Sequence, residues 1–454
     1  MKSKTGKTIF IIIGRGSITR NILRSGVLAE LKKTGHKIVL IFWNVRNQPL
    51  PDYLRAEFKD DNVILETVPG LKPAPLYRRF GRLTSLLVYN NQIREIRYLW
   101  GKRRLGWLFW ERILFYPLSK LHFLKHLVRF FETFFFTSDI YADYFNRYQP
   151  DLVFSTSVIA SVDMEFIKEA KRRGIKTVSM PRGWDNVNTI FYKVAPDLFL
   201  VQNEMMKRDA IAFQCLAAER IKVVGFPQFD WYYRSEILMS REDYCRRYGL
   251  DPTQKIVFWA STPDDTRASQ VMLALFENNE LEIPSSLLVR AHFKAGSGSN
   301  AMDSKKLPPR VVLDHNWQPA SFFWDNYDLT ADGLKLFTNT IYHADAVITL
   351  CSSIALDALN FNKPIINLAF GSWYDKDGND ISPKLYEYDV YRPMLTVGAV
   401  TLVYSKEELI KAIGDAFRHP ENKSAERLRA RDLFCYRGDG QSSCRVAEAV
   451  TSLL

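Results

Sequence analysis

The chain has little of several things, and each shortage removes a class of answer. Cysteine is scarce. Cys215, Cys245, Cys351, Cys435 and Cys444 are five among 454 residues, scattered, with no CxxC and no Cys/His pairing. That argues against a disulfide framework or a zinc site and fits a reducing, cytoplasmic compartment. Long hydrophobic runs are missing too. No stretch reaches the ~18 uncharged apolar residues that a spanning helix needs, and Ile9–Ile13 is too short for the apolar part of a secretory signal. Paired carboxylates at a strand exit are also lacking. Asp60-Asp61, Asp264-Asp265 and Asp375/Asp377 all stand in turn-like surroundings, so no metal site is expected and a metal-held diphosphate is disfavoured. There is no internal repeat and no long low-complexity tract.

What is present describes a folded protein with an anionic partner. A hydrophobic fraction of 47% and a charged fraction of 25% are those of globular chains, and the length favours two cores over one. The net charge of +12 is concentrated. Between Arg78 and Arg129 stand 12 Lys and Arg against only Glu95 and Glu111, interleaved with Trp100, Trp107, Phe109, Trp110, Phe115, Tyr116 and Phe123. Basic residues with Trp and Phe on helical stretches suit an anionic membrane surface. The same ingredients stack single-stranded nucleic acid, or belong to ordinary helices whose aromatics face the core. The membrane surface is the expectation taken forward, with no nucleic-acid partner.

The rest of the chain alternates strand and helix. Thr8–Ile13 reads as a strand ending in Gly14-Arg15-Gly16-Ser17, followed by helical periodicity over Ile18–Lys33 and a strand at Lys37–Phe42. The third glycine of the dinucleotide fingerprint is missing, and Arg20 stands near its place. Further strands are predicted at Val63–Val68, Asp151–Ser155, Thr177–Met180, Asp197–Val201 and Ile221–Val224. The exit of Thr177–Met180 is the polar loop Pro181–Thr189. Trp231–Thr253 reads as a crossing segment, after which alternation resumes at Lys255–Ala260, Leu287–Ala291 and Val311–Leu313.

The most informative stretch is His343–Phe370. Ala346–Leu350 has the continuous apolar character of a buried parallel strand. Cys351-Ser352-Ser353 is a tight turn, Ile354–Phe361 is helical with Asp357 in its first turn, and Ile365–Leu368 is the next strand. In an open α/β sheet such a turn lies at the carboxyl ends of the strands, where ligands bind. Its two hydroxyls and the helix-start N–H groups suit a phosphate, and they suit simple capping equally.

Two such halves meeting near Trp231 resemble the two-domain GT-B glycosyltransferase fold. Four segments carry the resemblance. Gly183–Asn186 (GWDN) is similar to a loop of surface-polysaccharide transferases, and Arg220–Asp230 (RIKVVGFPQFD) to the strand leading out of their first domain. Val289–Lys294 (VRAHFK) resembles their R-x-H-P segment, with Phe293 in the proline's place. His343–Leu359 resembles the D-x-x-I-T-D-Y-S-S…D segment of CDP-glycerol glycerophosphotransferases and of GT-B Kdo and sialic acid transferases, with Leu350 and Cys351 replacing the acidic-aromatic pair.

The resemblance implies an α/β protein with two Rossmann-like, doubly wound domains facing a central cleft. The expected divisions are an acceptor domain over 1–235 carrying the basic insertion 78–129, a donor domain over 236–425 and a helical segment over 426–454. It implies a donor site of Arg290, Lys294, His343, Ser352, Ser353 and Asp357, with His292 acting on the departing phosphate. Asp185 is the expected general base, Asp230 its understudy, and Arg15, Ser17, Arg20, Trp184 and Asn186 the acceptor contacts. The expected activity is inverting, metal-independent transfer of a sugar from a nucleotide-sugar donor to a glycan or lipid-linked acceptor, without cofactor, on the inner face of the cell membrane. Transfer of a polyol phosphate from a CDP donor is the alternative, followed by sugar-nucleotide 2-epimerisation and a non-catalytic membrane- or RNA-binding role.

Overall fold

The computed structural model describes residues 6–71, 75–90, 92–93, 109–261, 266–292, 307–314, 318–375 and 377–454. Fifteen strands are found among them. In chain order the first seven are β1 (Thr8–Ile13), β2 (Lys37–Asn44), β3 (Val63–Pro69), β4 (Leu152–Ser155), β5 (Lys176–Ser179), β6 (Leu198–Val201) and β7 (Ile221–Val223). The others are β8 (Lys255–Ala260), β9 (Ser285–Arg290), β10 (Val311–Leu313), β11 (Gln318–Pro319), β12 (Tyr327–Asp328), β13 (Ala346–Thr349), β14 (Ile365–Leu368) and β15 (Thr401–Val403). The chain forms two compact units. The first comprises Met1–Asp230, Gln318–Leu329 and Asp439–Leu454, and the second Trp231–Trp317 and Thr330–Gly438.

Unit one is built on a seven-stranded parallel sheet of order β3-β2-β1-β4-β5-β6-β7. Its centre explains the unbroken apolar run at the start of the sequence. Ile9, Ile11 and Ile13 face one core with Leu40, Phe42 and Phe154. Phe10 and Ile12 face another with Val39, Tyr141, Phe145 and Phe166. A strand covered on both sides has no polar face to show.

The helical periodicity over Ile18–Lys33 is interrupted. One turn at Gly16–Ile18 widens into a π-type turn at Thr19–Leu23, and a straight helix resumes only at Val27–Lys33, after Gly26 at φ 130°. Arg24, at the break, turns its guanidinium inward. It donates to Asp328 Oδ1 at 2.7 Å, to the Leu329 carbonyl at 2.8 Å and to Glu57 Oε1 at 2.7 Å. Burial works against its charge, but Glu57 and Asp328 outweigh that and hold it firmly protonated.

Asp328 belongs to a short hairpin, β11 with β12, that comes from the second half of the chain and completes unit one. Phe322 and Phe323 pack edge-on and tilted against Phe42. Trp324 lies under the Arg15 guanidinium at 4.0 Å. Asp325 accepts from the N–H of Gly16 at 3.0 Å and of Ser17 at 3.3 Å. The last helix, Ser442–Thr451, also returns to unit one and puts Val446, Ala447, Ala449 and Val450 into its core.

Unit two carries a six-stranded parallel sheet of order β10-β9-β8-β13-β14-β15. Val257, Trp259, Val289 and Ile348 on its strands meet Met272, Leu409 and Ile413 from flanking helices. Ser405 caps the Lys406–Arg418 helix by accepting from Glu408 N–H at 3.2 Å, as the capping-box spacing predicts.

Gly16 is where the hairpin touches the first loop most closely. A Cβ there would stand 1.6 Å from the Tyr327 carbonyl oxygen. Gly16→Ala is expected to lose about 3 kcal/mol, the upper range for overpacking, read as a lower denaturant midpoint. Gly35→Ala, in open space, should lose markedly less despite its positive φ.

Candidate functional site

Both sheets reverse their strand order beside the first strand of the unit, between β1 and β4 in unit one and between β8 and β13 in unit two. At such a switch point neighbouring loops leave in opposite directions and open a crevice at the carboxyl edge, where ligands bind.

In unit two the loops at this point carry hydroxyls. Thr349 ends β13, its Oγ1 lies 3.5 Å from the Ala260 carbonyl at the end of β8, and it pairs with Ser352 Oγ at 2.8 Å. Ser352 Oγ also accepts from Ile354 N–H at 3.3 Å, while Ser353 is exposed and makes no capping bond. Ser261, just past β8, accepts from the His292 N–H at 3.2 Å and so draws the β9 exit toward the β8 exit. Arg290 ends β9. Its Nε donates to the buried Asp314 at 2.7 Å, and its guanidinium lies 4.0 Å over the Phe337 ring. That ion pair fixes the arginine and offsets its charge.

Ser352, Ser353, Arg290 and His292 therefore share one edge. Lys294 lies outside the described residues. His343 does not join them. It ends the Ala331–His343 helix, which precedes β13, and so stands at the amino edge of the sheet. There its Nε2 meets the Met239 carbonyl at 3.0 Å, its ring stacks on Tyr244, and burial pushes its pKa down. Asp357 is turned inward on the Ile354–Asn360 helix, buried, and accepts from the Tyr232 hydroxyl. It secures the helix from within.

In unit one the β1 exit holds Arg15, Ser17 and Arg20. Desolvation and the neighbouring Arg182 lower the Arg15 pKa to about 10. The backbone N–H groups of Gly16 and Ser17 in this loop are met by Asp325. The β5 exit holds the GWDN loop. Asn186 Oδ1 accepts from Gly183 N–H at 3.2 Å, and its amide donates to Asp185 Oδ1 at 3.1 Å. Trp184 is half-buried beside them. Asp185 itself is exposed, so the upward push that protein packed behind it exerts on its carboxyl is blunted by water. Asp230 has another task. It is buried and accepts from the N–H groups of Ser442 and Ser443 at 3.0 and 2.7 Å, tying down the last helix.

Sequence reasoning missed Asp163. Its Oδ1 accepts from Ser155 Oγ at 2.8 Å, Thr156 N–H at 3.1 Å and Ser157 N–H at 3.2 Å, which shapes the β4 exit. The same loop forces Val158, a β-branched residue, to φ 55°. Asp163 Oδ2 is buried with no hydrogen-bond partner. The spacing S-T-S with an acid six residues on was the available signal. Thr349 and Ser261 were also missed, because neither stands out until the strand order is known.

The fold agrees with comparisons to known proteins. The structure is similar to the UDP-GlcNAc 2-epimerase of Neisseria meningitidis bound to UDP-GlcNAc, with TM-score 0.55 and 12% identity over 98% of this chain and 100% of that one. It is also similar to the wall teichoic acid polymerase TagF (0.53, 12%, covering 99% and 89%) and to a glycosyltransferase of Rickettsia africae (0.52, 12%, covering 98% and 99%). These likenesses define the fold as GT-B, with two Rossmann-like domains. The family model for CDP-glycerol:poly(glycerophosphate) glycerophosphotransferase matches residues 171–452. The chain belongs to that family and is a transferase of nucleotide-activated substrates. A search of curated protein sequences finds no match. Among the described residues no helix is long and apolar enough to cross a membrane.

Full burial raises the Asp163 pKa to about 7, against the pull of its three donors. Because the folded value exceeds the unfolded one, the protonated carboxyl stabilises the fold. That contribution is complete below the ordinary carboxylate range and is lost as pH rises through about 7. Asp163→Asn should flatten the fall of the melting temperature between about pH 4 and about pH 7. A fall as steep as in the parent chain would refute this assignment.

Proposed function

We propose that this protein transfers a polyol phosphate, glycerol phosphate in the simplest case, from a cytidine-diphosphate donor to a hydroxyl of a glycan or lipid-linked acceptor in surface-polymer synthesis. The observation that carries the reading is the family match, which runs through both the β9 exit and the β13 turn. In the reaction the acceptor oxygen attacks the outer phosphorus. The bond from that phosphorus to the bridging oxygen breaks, and CMP leaves with the charge. The hydroxyl proton passes to a base.

Donors fixed before the reaction, aimed where charge develops, lower the barrier at such a site more than any other device. Ser352, Ser353, Arg290 and His292 supply them in this reading, with Thr349 holding Ser352 in place, and no metal is required. Asp185 takes the acceptor proton. It is exposed at a strand exit, whereas Asp230 is sealed in the interior. Arg15, Arg20 and Trp184 contact the acceptor.

Transfer of a sugar is the second reading. It rests on the buried Leu350 and half-buried Cys351 where the family's acidic-aromatic pair is usual, since that change alters the wall beside the serines. Thermal shift with CDP-glycerol, CDP, CMP and the UDP and GDP sugars, with and without EDTA, separates the two. A ligand at about 100 times its dissociation constant stabilises by roughly 2.7 kcal/mol. The expected result is stabilisation by the cytidine compounds that survives EDTA and disappears in the Ser352→Ala/Ser353→Ala double variant. A shift confined to a UDP or GDP sugar would favour sugar transfer. Silence toward every nucleotide would overturn both.

A further inference from the structure

The helix His122–Phe134 is packed inside out. Its buried residues are Lys125, Arg129, Glu132 and Thr133. Lys125 donates to the Phe213 carbonyl at 2.9 Å, and Arg129 to the carbonyls of Tyr192 at 3.0 Å and Gln214 at 2.7 Å. Glu132 accepts from the Tyr77 hydroxyl at 2.6 Å and from the buried Lys168 ammonium at 3.2 Å. The polar face is therefore engaged with unit one, and it fixes which face looks outward.

The outward face is mainly apolar, with His122 and His126 the exposed polar side chains on the helix. Phe123, Leu127, Phe130, Phe131 and Phe134 recur at spacings of four, three, one and three residues, and Phe135 extends the stripe. All six are exposed, Phe123 at 66% and Phe135 at 65%. Phe130 with Phe134, and Phe131 with Phe135, lie 5.1 Å apart ring to ring, so the rings form a continuous platform. More than half of the exposed large hydrophobic side chains among the described residues fall between Phe109 and Phe135. A surface helix normally buries such a stripe, and a patch of this kind marks an interaction surface.

We infer that this platform inserts into the headgroup and acyl boundary of an anionic lipid bilayer, with the rings entering the membrane and the surrounding bases meeting lipid phosphates. Arg112 and Lys120 are exposed along the same segment, and Lys176 is exposed beside Phe130 and Phe134 in an open pocket of about 460 Å³. The charge pattern distinguishes this occupant from a second copy of the chain. A two-fold interface would set each patch against itself and bring these bases face to face, where like charges repel. An anionic bilayer complements both the rings and the rim. The binding differs from attachment by charge alone, because two of the segment's basic residues, Lys125 and Arg129, are spent inside the protein.

The test is flotation of the full chain with vesicles of mixed phosphatidylcholine and phosphatidylglycerol, and with phosphatidylcholine alone, at low and high salt. The expected result is binding to the mixed vesicles that weakens but persists in high salt. The Phe123→Gln/Phe130→Gln/Phe134→Gln variant should bind at least tenfold less while keeping the parent melting temperature and nucleotide response. Phe130→Trp should retain binding, and its added emission should shift to the blue on mixed vesicles. Failure of the parent chain to float, or equal flotation of the triple variant, would overturn the inference. So would a dimer in sedimentation velocity that the triple variant dissolves without any vesicle binding. Because nucleotide response is read separately, a failed vesicle experiment leaves the transferase reading intact.

Discussion

The structure depends on one constraint, that all strands of both large sheets run in the same direction. A parallel strand cannot return by a tight turn, so each return is made by a longer crossover that covers a face of the sheet. The central strands are consequently buried on both sides, as β1 is throughout. With both faces committed to packing, only the carboxyl-edge loops are free to carry chemistry. Each sheet supplies one place where such loops part. Thr349, Ser352, Ser261, Arg290 and His292 stand together in unit two because neighbouring exits, of which β8 and β13 flank the reversal, deliver them there.

Charge in the interior is handled by the same rule in several places. Arg24 lies between Asp328 and Glu57, Lys168 between Glu132 and Glu165, and Arg290 beside Asp314. A buried pair adds little net stability, while breaking one leaves an uncompensated charge. Removing one member of such a pair therefore costs more than replacing both. Arg24 joins the hairpin to the break after Leu23, and Lys168 with Glu132 joins the Ser161–Arg172 helix to the His122–Phe134 helix.

Strands were legible in the sequence because burial on both faces leaves an unbroken apolar signature, and β1, β8, β10 and β14 follow their predicted limits. The break after Leu23 was not, because it arises from Arg24 turning inward to residues some three hundred positions away. For the same reason nothing local marks Gln318–Leu329 as part of unit one. Within the site, the serines and the β9 exit were legible from strand-to-turn pattern alone. His343 was drawn to the wrong edge of the sheet because a helix end that precedes a strand was read with the turn that follows it. Asp357 is the first-turn acid that the sequence predicts, and the helical period that places Ala355, Ala358 and Leu359 inside carries it inward too, away from a donor. The basic aromatic segment was recognised by composition, and its residues 94–108 lie outside the described ones; the polarity of the His122–Phe134 helix, with Lys125 and Arg129 turned in and its phenylalanines out, required the partners of those two residues.

The return of the Ser442–Thr451 helix bears on how the molecule is made. Unit one draws its core from three separated stretches, and the whole of unit two is threaded between them. On the ribosome the first sheet emerges early, yet Phe322 and Phe323 arrive more than three hundred residues after β1 has been completed, and Val446 and Val450 arrive later still. Until then the face of β1 carrying Ile9, Ile11 and Ile13 is only partly covered. Unit two, nested inside, has its own sheet complete before that last helix is translated. The core of the first unit is therefore completed by residues that follow every strand of the second unit's sheet, and Asp230 ties them in.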